Sequence, residues 1–467
     1  MFILCSDYYY YLYTDFIYMD PVYNQAYAIA TDYISHVSKR SVAPTADALV
    51  ALKQFDIELP DESTDSESVI CELEQFGCPA TVATTGNRYF GFVTGGTYPV
   101  GIAASWIASA WDQNAAMRVL SPIGAKLEDV CLNWIVDLID LPKQTGGGFV
   151  TGASTANFTA LAAARHTVLI RQGWDVKLQG LFGAPTINVV VSDEVHSTVL
   201  KALSLLGLGS ERVIRVPTDS EGRMLADKLP TIDSNTIVCL QAGNVNTGSF
   251  DPIELVCKKA KEAGAWVHVD GAFGLWAAAC KNKKHLTQGL ALADSWAVDC
   301  HKWLNTPYDC AIALVRDPIH LRNAMTINAP YLVMGDEREP SQYVPEFSRR
   351  ARAVEVWATL KYLGKNGLDN LIERTCLYAS EFAQGLRKQG FTVHNDVVLN
   401  QVLVSFGSPE KTKAVIQAIQ REGTLWCGGT TWHGVAAMRI SVSSWATTRE
   451  DVDLCIKVIG DVARKIA

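Results

Sequence analysis

Two apolar segments, each ending in a chemically reactive side chain, decide the fold of this chain. The first reads Trp266-Val-His-Val-Asp-Gly-Ala-Phe-Gly274, and the second reads Ala293-Asp-Ser-Trp-Ala-Val-Asp-Cys-His-Lys-Trp303. Short, largely apolar segments between helical patterns are typical of parallel strands that are covered on both faces. Because such sheets bind ligands at the carboxyl ends of their strands, we expect Asp270 and Lys302 to lie close together at one edge.

The chain around these segments alternates regularly between strand and helix. Apolar, mostly β-branched runs predict strands at 187–191, 213–216, 236–241, 266–269 and 311–315, and helical spacing predicts helices at 122–139, 196–206 and 252–263. The sequence therefore favours an α/β domain built on a mostly parallel sheet.

Four segments are expected along the chain. Residues 1–18 are tyrosine-rich, and their acidic interruptions argue against a signal peptide or a membrane span, so we expect a non-native or disordered extension there. Residues 19–85 show helical spacing, residues 86–345 carry the strand–helix alternation, and residues 346–467 predict a smaller C-terminal α/β domain.

Composition narrows the class of protein. The chain has 467 residues, of which 48% are hydrophobic and 19% are charged, as in ordinary globular proteins. The formal charge of −8 argues against a nucleic-acid or membrane partner. The 12 cysteines form no metal-binding or disulfide pattern, which favours reduced, buried thiols and a cytoplasmic location.

An amine and a carboxylate at one sheet edge can serve one aromatic cofactor. Pyridoxal 5′-phosphate (PLP) is held by a lysine that forms an imine with its aldehyde and by an acid that keeps its ring nitrogen protonated. Lys302 lies between apolar segments, where burial would lower the pKa of its amine and make it nucleophilic; a lone lysine is otherwise usually a surface charge. Asp270 is assigned to the ring nitrogen, and the alternative is a carboxylate that caps the next helix. Together they predict PLP.

Two more features fit this cofactor. His196 follows a β-branched run and is predicted to stack on the flat ring, although an isolated histidine there is more often a structural hydrogen-bonding residue. The glycine-rich segment 146–152 precedes a helix that opens with Ala153-Ser-Thr-Ala-Asn157, and a helix N-terminus binds anions through its N–H groups. The segment lacks the spacing of an ATP-binding loop, so it predicts a site for one phosphate.

With these residues in hand, the chain resembles the group II PLP-dependent amino-acid decarboxylases, which include aromatic-L-amino-acid and glutamate decarboxylases. The likeness runs from about Asn87 to about Asp453 and is most specific in 267–274 and 299–303. Further support comes from Tyr89-Phe-Gly91, Ser154-Thr-Ala-Asn157, His196, Gly248-Ser-Phe-Asp251 and Arg349-Arg-Ala-Arg352.

The resemblance implies a fold-type I enzyme with a mostly parallel seven-stranded sheet, a helical N-terminal segment and a small C-terminal α/β domain. It implies a homodimer with interface active sites that removes CO2 from an L-amino acid. By matching position, Lys302 carries PLP, Asp270 binds the pyridinium and His196 stacks on the ring. The other cofactor-binding positions that it implies are Ala153, Ser154, Thr155, His301, Asn246 and Ala272.

Family members also use a tyrosine on a mobile loop to protonate the substrate carbon after CO2 has left. The breaker-rich stretch 335–345 matches that loop, which makes Tyr343 the candidate catalytic tyrosine. The loop is shorter here than in the animal enzymes.

Two departures from the family pattern affect the cofactor site. Asp299 stands where many members have an asparagine near the phosphate, and a carboxylate beside a dianion is repulsive unless it faces elsewhere or is protonated. The segment Asn244-Val-Asn-Thr247 replaces a threonine-rich run, so contacts with the cofactor oxygen are expected to differ.

The sequence leaves the product and the substrate open. An amine is expected, with transamination or aldehyde formation as enzymatic alternatives and a catalytically silent PLP-binding protein as an alternative of another class. An aromatic substrate is favoured if Trp106, Trp111, Phe90 and Tyr89 line a pocket. An acidic substrate would call for an arginine such as Arg88, and Arg439 is a candidate for a substrate carboxylate or for a buried partner.

Overall fold

The computed structural model describes residues 20–326 and 337–466, which fall into two compact units divided after Ala83. The first unit contains helices α1 (Pro21–His36), α2 (Ala46–Ala51) and α3 (Ser66–Glu72). Each begins at a side-chain cap: Asp20, Thr45 and Asp65 accept hydrogen bonds from backbone N–H groups of the first turn. The predicted helices of this segment are therefore present, and the expected extension 1–18 lies outside the described residues.

The second unit is built on a seven-stranded sheet. Its strands are β1 (Gly146–Val150), β2 (Asn188–Ser192), β3 (Ile214–Val216), β4 (Thr236–Gln241), β5 (Trp266–Asp270), β6 (Ser295–Asp299) and β7 (Ala311–Val315). The spatial order is β1-β7-β6-β5-β4-β2-β3. Only β7 runs antiparallel, to both of its neighbours, whereas the pairs from β6 to β3 are parallel. The predicted mostly parallel sheet is confirmed.

Helices cover this sheet on both faces. They are α4 (Pro99–Trp111), α5 (Pro122–Leu138), α6 (Ala153–Arg171), α7 (Val176–Gln179), α8 (Ser197–Leu205), α9 (Ile253–Ala263) and α10 (Pro318–Met325). Alternate residues of a strand join different apolar clusters: Val190 and Val238 pack with α5 and α9, whereas Val189 and Ile237 pack with α6 and α8. This alternation is the signature of a sheet buried on both sides.

The glycines before α6 form a strand, which the sequence pattern did not predict. A Cβ on Gly147 would lie 2.4 Å from the Ala313 carbonyl oxygen, and one on Gly148 would lie 2.4 Å from Val344 Cγ1. These glycines therefore allow β1 to approach β7 and the chain near Val344. Helix α6 begins after this strand, with Gly152 as its N-cap.

The C-terminal part adds a four-stranded antiparallel sheet in the order β10-β11-β9-β8. Its elements are α11 (Ala353–Lys388), β8 (Thr392–Val393), β9 (Gln401–Ser405), α12 (Pro409–Glu422), β10 (Gly428–Trp432), β11 (Val435–Ser441) and α13 (Arg449–Lys465). It has its own apolar cluster yet belongs to the same compact unit as the large sheet, so the boundary near residue 346 stays a prediction.

Two further expectations concern the chain as a whole. Eleven described cysteines are free thiols, and nine of them are buried, which agrees with the expected reduced thiols. Among the described helices, none is both long and apolar enough to cross a membrane.

Candidate active site

A cavity of about 240 Å³ opens at the carboxyl ends of β2, β4, β5 and β6. Parallel pairing sets Asp270 of β5 beside Ala297 of β6, so the turn that follows β6 brings Lys302 to the same edge. The predicted site residues that line this cavity are Lys302, Asp270, His196, Ala153, Ser154, His301 and Ala272. The predicted convergence of the amine and the carboxylate is confirmed.

The carboxylate of Asp270 is buried and held by two donors. The Ala272 backbone N–H donates to Oδ1 at 3.2 Å, and Asn157 Nδ2 donates to Oδ2 at 3.1 Å. Only 5% of Asp270 is exposed. Its position is therefore fixed by α6 and by the turn after β5, not by capping of a following helix.

A chain of hydrogen bonds fixes the orientation of the Asn157 amide. Because Asn157 Nδ2 donates to Asp270 and to Thr198, its Oδ1 accepts from His268 Nε2 at 2.9 Å. The His268 Nδ1 then accepts from the Ser295 hydroxyl at 2.9 Å, and that oxygen accepts from the Trp266 indole. Burial lowers the pKa of His268 to about 3, so the ring is neutral, as this pattern requires.

The amine of Lys302 does not have the lowered pKa that the sequence predicted. Burial alone lowers the pKa of Lys302, but the charge and hydrogen bond of Asp299, together with the charge of Asp270, raise it above its ordinary value. Lys302 Nζ lies 3.0 Å from Asp299 Oδ2. The expectation was wrong because the sequence did not show that the carboxylate three residues earlier turns toward the amine.

Asp299 faces the helix N-terminus where the phosphate was expected. The Ala153 N–H donates to Asp299 Oδ1 at 2.6 Å, and the carboxylate is only 1% exposed. The N–H groups of Ser154 and Thr155 follow in the first turn, where a helix supplies no internal acceptor. One anion-binding donor of α6 is therefore already occupied by a carboxylate of this chain.

The two histidines of the cavity are held as neutral rings. Burial lowers the pKa of His196 and that of His301, and the charges of Asp270 and Asp299 oppose this only partly. The Thr198 N–H donates to His196 Nδ1, which leaves the proton on Nε2. The His301 Nδ1 accepts from the Cys310 N–H, and its ring stacks on Tyr308 with centroids 4.4 Å apart.

Three predicted residues are not among those that line the cavity. The Thr155 hydroxyl bonds to the Thr151 hydroxyl, and Asn246 accepts from Thr430 and from Arg439 at its amide oxygen. The structure does not bring Tyr343 to the cavity: it ends a short helical turn, is 8% exposed and packs in the core beneath the Arg338 guanidinium. Part of the predicted loop, 335–336, lies outside the described residues.

The expected aromatic pocket does not form from the four residues named for it. Trp106 and Trp111 are exposed on α4, and Phe90 packs edge-on against Phe382 in the C-terminal core. Tyr89 stacks on Trp426, with ring centroids 5.1 Å apart.

The two arginines behave differently. Arg88 is committed to Asp451, 3.2 Å away, and to the Thr424 carbonyl oxygen, which removes it as a substrate ligand. Arg439 is partly buried beside Tyr89, and burial lowers the pKa of its guanidinium. Among the described residues, no carboxylate forms an ion pair with it.

Sequence reasoning missed several functional residues. His268 and Asn157 stood inside the quoted motifs, and the signal that could have identified them was their polarity within apolar strand and helix positions. Gln241 ends β4 and lines the cavity, with its side-chain amide donating to the Glu194 carbonyl oxygen.

These observations define a class of protein: an α/β enzyme whose sheet edge offers a lysine, a ring-binding carboxylate and a helix N-terminus to one aromatic, phosphorylated cofactor. Comparison with known families agrees. Residues 50–407 match the model of the pyridoxal-dependent decarboxylase conserved domain. The chain belongs to this family, and it is a PLP-dependent amino-acid decarboxylase of fold-type I.

Individual relatives are distant but cover most of the chain. It is 25% identical to an L-tyrosine/L-DOPA decarboxylase of Lophophora williamsii over 77% of this chain and 72% of that protein. It is 26% identical to an acidic amino acid decarboxylase of Mus musculus, over 88% and 79% respectively. A phenylacetaldehyde synthase of a Rosa hybrid cultivar is 25% identical, over 93% and 92%.

Solved structures support the fold. A crystal structure of Oryza sativa TDC with PLP and tryptamine superimposes with a TM-score of 0.87 at 22% identity, covering 95% of this chain and 97% of that one. Mouse CSAD superimposes with a TM-score of 0.88 at 21% identity, covering 96% and 99%.

The residues present fit PLP. The cavity brings together an amine that can bond to the aldehyde and a buried carboxylate with fixed donors on both oxygens. A Cβ on Gly152 would lie 3.5 Å from His301 Cε1 and 3.9 Å from Asp299 Oδ1, so the glycine leaves open the space at the N-terminus of α6 that a side chain would enter. Asp299 is the one feature that disagrees with a phosphate at this place.

Proposed function

We propose that this enzyme removes the α-carboxylate of an L-amino acid as CO2 and releases the amine, with Lys302, Asp270 and His196 as its principal site residues. The observation that carries the proposal is that the Lys302 amine and the Asp270 carboxylate both line one cavity, at the ends of adjacent parallel strands. An aromatic substrate is favoured because relatives such as the L-tyrosine/L-DOPA decarboxylase of Lophophora williamsii are named for aromatic substrates, and not because of the four aromatic residues above.

When bound, PLP supplies an electron-poor ring that accepts the electron pair left on the substrate carbon as CO2 departs. Asp270 holds the proton on the ring nitrogen, because its carboxylate is buried and its orientation is fixed by Ala272 and Asn157. The hydrogen-bond chain from Trp266 to Asn157 keeps the Asn157 amide pointing its N–H toward that carboxylate. This arrangement favours a charged ring.

Lys302 anchors the cofactor, and His196 is placed to lie against the ring. Thr198 restrains the His196 ring through Nδ1, so its Nε2–H is the end of the ring available to the cavity. The backbone N–H groups of Ala153 and Ser154, at the start of α6, are the proposed donors for the phosphate, and the Ala153 N–H must then be shared with Asp299.

A proton must return to the substrate carbon after CO2 leaves. Tyr343 is buried outside the cavity, which disfavours the same chain's Tyr343 for this step. Among the described residues that line the cavity, His196 Nε2 and the Lys302 amine bear protons, whereas the proton on His301 Nε2 lies toward Asp299 Oδ1, 3.6 Å away. We assign the step to one of these two.

Arg439 supports acidic amino acids as a second candidate substrate class. Its charge acts on His196, and its Nη1 lies 3.5 Å from Asn246 Oδ1. A partly buried guanidinium that pairs with no carboxylate in the described part of the chain is suited to a substrate carboxylate. Arg439→Gln should raise KM for L-glutamate or L-aspartate far more than for L-tyrosine or L-tryptophan if the acidic class is the natural one.

A homodimer is part of the proposal. The second compact unit exposes large apolar side chains that lie close together in sequence. Each of the following is at least 39% exposed: Ile107, Trp111, Val119, Leu120 and Ile123. Exposed apolar surface of this kind is typical of an interface between subunits. Sedimentation should give a dimer for the wild type and a monomer for Val119→Glu.

We also place the enzyme in the cytoplasm, without nucleic-acid or membrane partners, as the buried free thiols and the charge of −8 suggest.

The test of function is a product assay with the PLP-loaded enzyme and each standard L-amino acid. Equal amounts of CO2 and amine support the proposal. CO2 with aldehyde and ammonia would instead place the chain with the relatives named as aldehyde synthases. Lys302→Ala should abolish CO2 release, and unchanged turnover in that variant would refute the assigned role of the lysine.

A further inference from the structure

The carboxylate of Asp299 lies at the N-terminus of α6, where we have proposed that the phosphate binds. Its Oδ1 accepts from the first N–H of α6 at 2.6 Å, and its Oδ2 lies 3.0 Å from the Lys302 amine. A single side chain thus bridges the helix N-terminus to the cofactor-binding lysine. Both contacts are buried, because Asp299 is 1% exposed.

The charges that line the cavity do not offset a second anion. Asp270 and Asp299 contribute two carboxylates, and Lys302 contributes one ammonium; His196 and His301 are neutral rings. In the described part of the chain, no arginine and no lysine other than Lys302 lines the cavity. A phosphate ester adds about −1.5 to −2 charges near neutral pH, and at a partly desolvated site this repulsion is only weakly screened.

We propose that Asp299 is a resident anion that competes with the cofactor phosphate for the N-terminus of α6, so that this chain retains PLP less tightly than it would with an asparagine at this position. The inference rests on the proposed placement of the phosphate at Ala153 and Ser154. Asp299 contacts both the helix start and Lys302. When PLP enters, one of these two contacts must be given up or shared.

The Asp299→Asn variant removes the charge and keeps the size of the side chain. Its neutral amide oxygen is a weaker acceptor for the Ala153 N–H than the carboxylate, so the phosphate can take that donor, and its amide hydrogens become further donors for the phosphate. Because both cofactor forms bond to Lys302 through the same aldehyde, any effect on the lysine changes PLP and pyridoxal alike. The ratio of their affinities therefore isolates the phosphate.

The experiment titrates cofactor-free wild type and Asp299→Asn with PLP and with pyridoxal, and follows the absorbance of the protein-bound cofactor. We expect the affinity for PLP divided by the affinity for pyridoxal to rise about tenfold or more in the variant. The loss of the Asp299 charge also affects Lys302, but it does so equally for both cofactor forms, so only its effect on the phosphate changes this ratio. The matched control is Asp294→Asn, which removes a carboxylate at the other end of β6 that bonds to Val267. Its PLP-to-pyridoxal ratio should equal that of the wild type.

A second readout needs neither the aldehyde nor activity. Inorganic phosphate should raise the unfolding temperature of cofactor-free Asp299→Asn and leave that of the wild type nearly unchanged. Parallel changes in PLP and pyridoxal affinity, or an affinity for PLP that falls relative to that for pyridoxal, would overturn the inference while leaving the cofactor site intact. If wild type and variant both bind pyridoxal and PLP equally well, the phosphate placement itself is wrong, and the inference is overturned with it.

Discussion

Replacing His268 by phenylalanine tests how the fold supports the ring-binding carboxylate. His268 is fully buried in β5 and joins Ser295 to Asn157, which donates to Asp270. Phenylalanine fills a similar volume but leaves the Asn157 carbonyl oxygen and the Ser295 hydroxyl without this partner. Each buried polar group left unsatisfied costs about 1–3 kcal/mol, so the variant should lose roughly 2–6 kcal/mol of stability near neutral pH.

The pH dependence of that loss has a definite sign. Burial holds the pKa of His268 at about 3, against an ordinary value of 6.5 in the unfolded chain. Between these values only the unfolded state binds the proton, so the wild type loses stability as the pH falls below 6.5. At about pH 5 this loss amounts to roughly 2 kcal/mol, at about 1.4 kcal/mol per pH unit. The phenylalanine variant lacks it.

The assay is urea unfolding, followed by tryptophan fluorescence, at about pH 7 and about pH 5. The stability gap between wild type and His268→Phe should narrow by roughly 2 kcal/mol at the lower pH. His268→Gln is the matched control: its amide keeps one donor and one acceptor, so its gap near neutral pH should be smaller, while its pH dependence should follow that of His268→Phe. A gap that stays constant in both variants, or widens at low pH, would refute a neutral, buried His268.

Three other substitutions probe different parts of the account. Asn157→Leu removes the donor to Asp270 and should weaken PLP binding about ten- to a hundredfold in an absorbance titration, because a hydrogen bond to a charged group contributes about 1.5–3 kcal/mol. A PLP affinity equal to that of the wild type would contradict the role of this hydrogen-bond network. Gly147→Ala places a Cβ 2.4 Å from a backbone oxygen of β7 and should lower the stability of the fold by about 1–3 kcal/mol in a thermal melt. An unchanged melting temperature would argue against the close approach of β1 to β7. Tyr343→Phe removes a hydroxyl outside the cavity and should leave kcat within about threefold of the wild type in a CO2-release assay, since a proton donor's loss would cost about a hundredfold or more.

The central strands could be predicted from the sequence because their residues are apolar on both faces and bounded by helical patterns. The strands at 236–241 and 311–315 agree with the structure residue for residue, and β5 gains only Asp270 beyond the predicted run. Their carboxyl ends then brought Asp270 and Lys302 together by topology alone.

The details of the candidate site that the sequence did not predict depend on side-chain directions, which composition and spacing do not encode. Asp299 was recognised as a departure, but its turn toward both Lys302 and Ala153, which raises the pKa of Lys302, follows from the geometry of the turn after β6. The strand β1 was missed because three consecutive glycines resemble a loop, whereas here they permit close packing. Tyr343 was chosen from a breaker-rich pattern that does not show which way a side chain points.

The most direct test of the central claim is the identity of the residue that bonds to PLP. Treating the PLP-loaded enzyme with borohydride makes the bond between an amine and the cofactor aldehyde permanent, and peptide mass spectrometry then locates it. We predict that the cofactor mass is found on Lys302, in the peptide that follows β6, and is absent from Asp270→Ala protein that fails to retain PLP. A modified residue elsewhere in the chain, with Lys302 unmodified, would contradict the account.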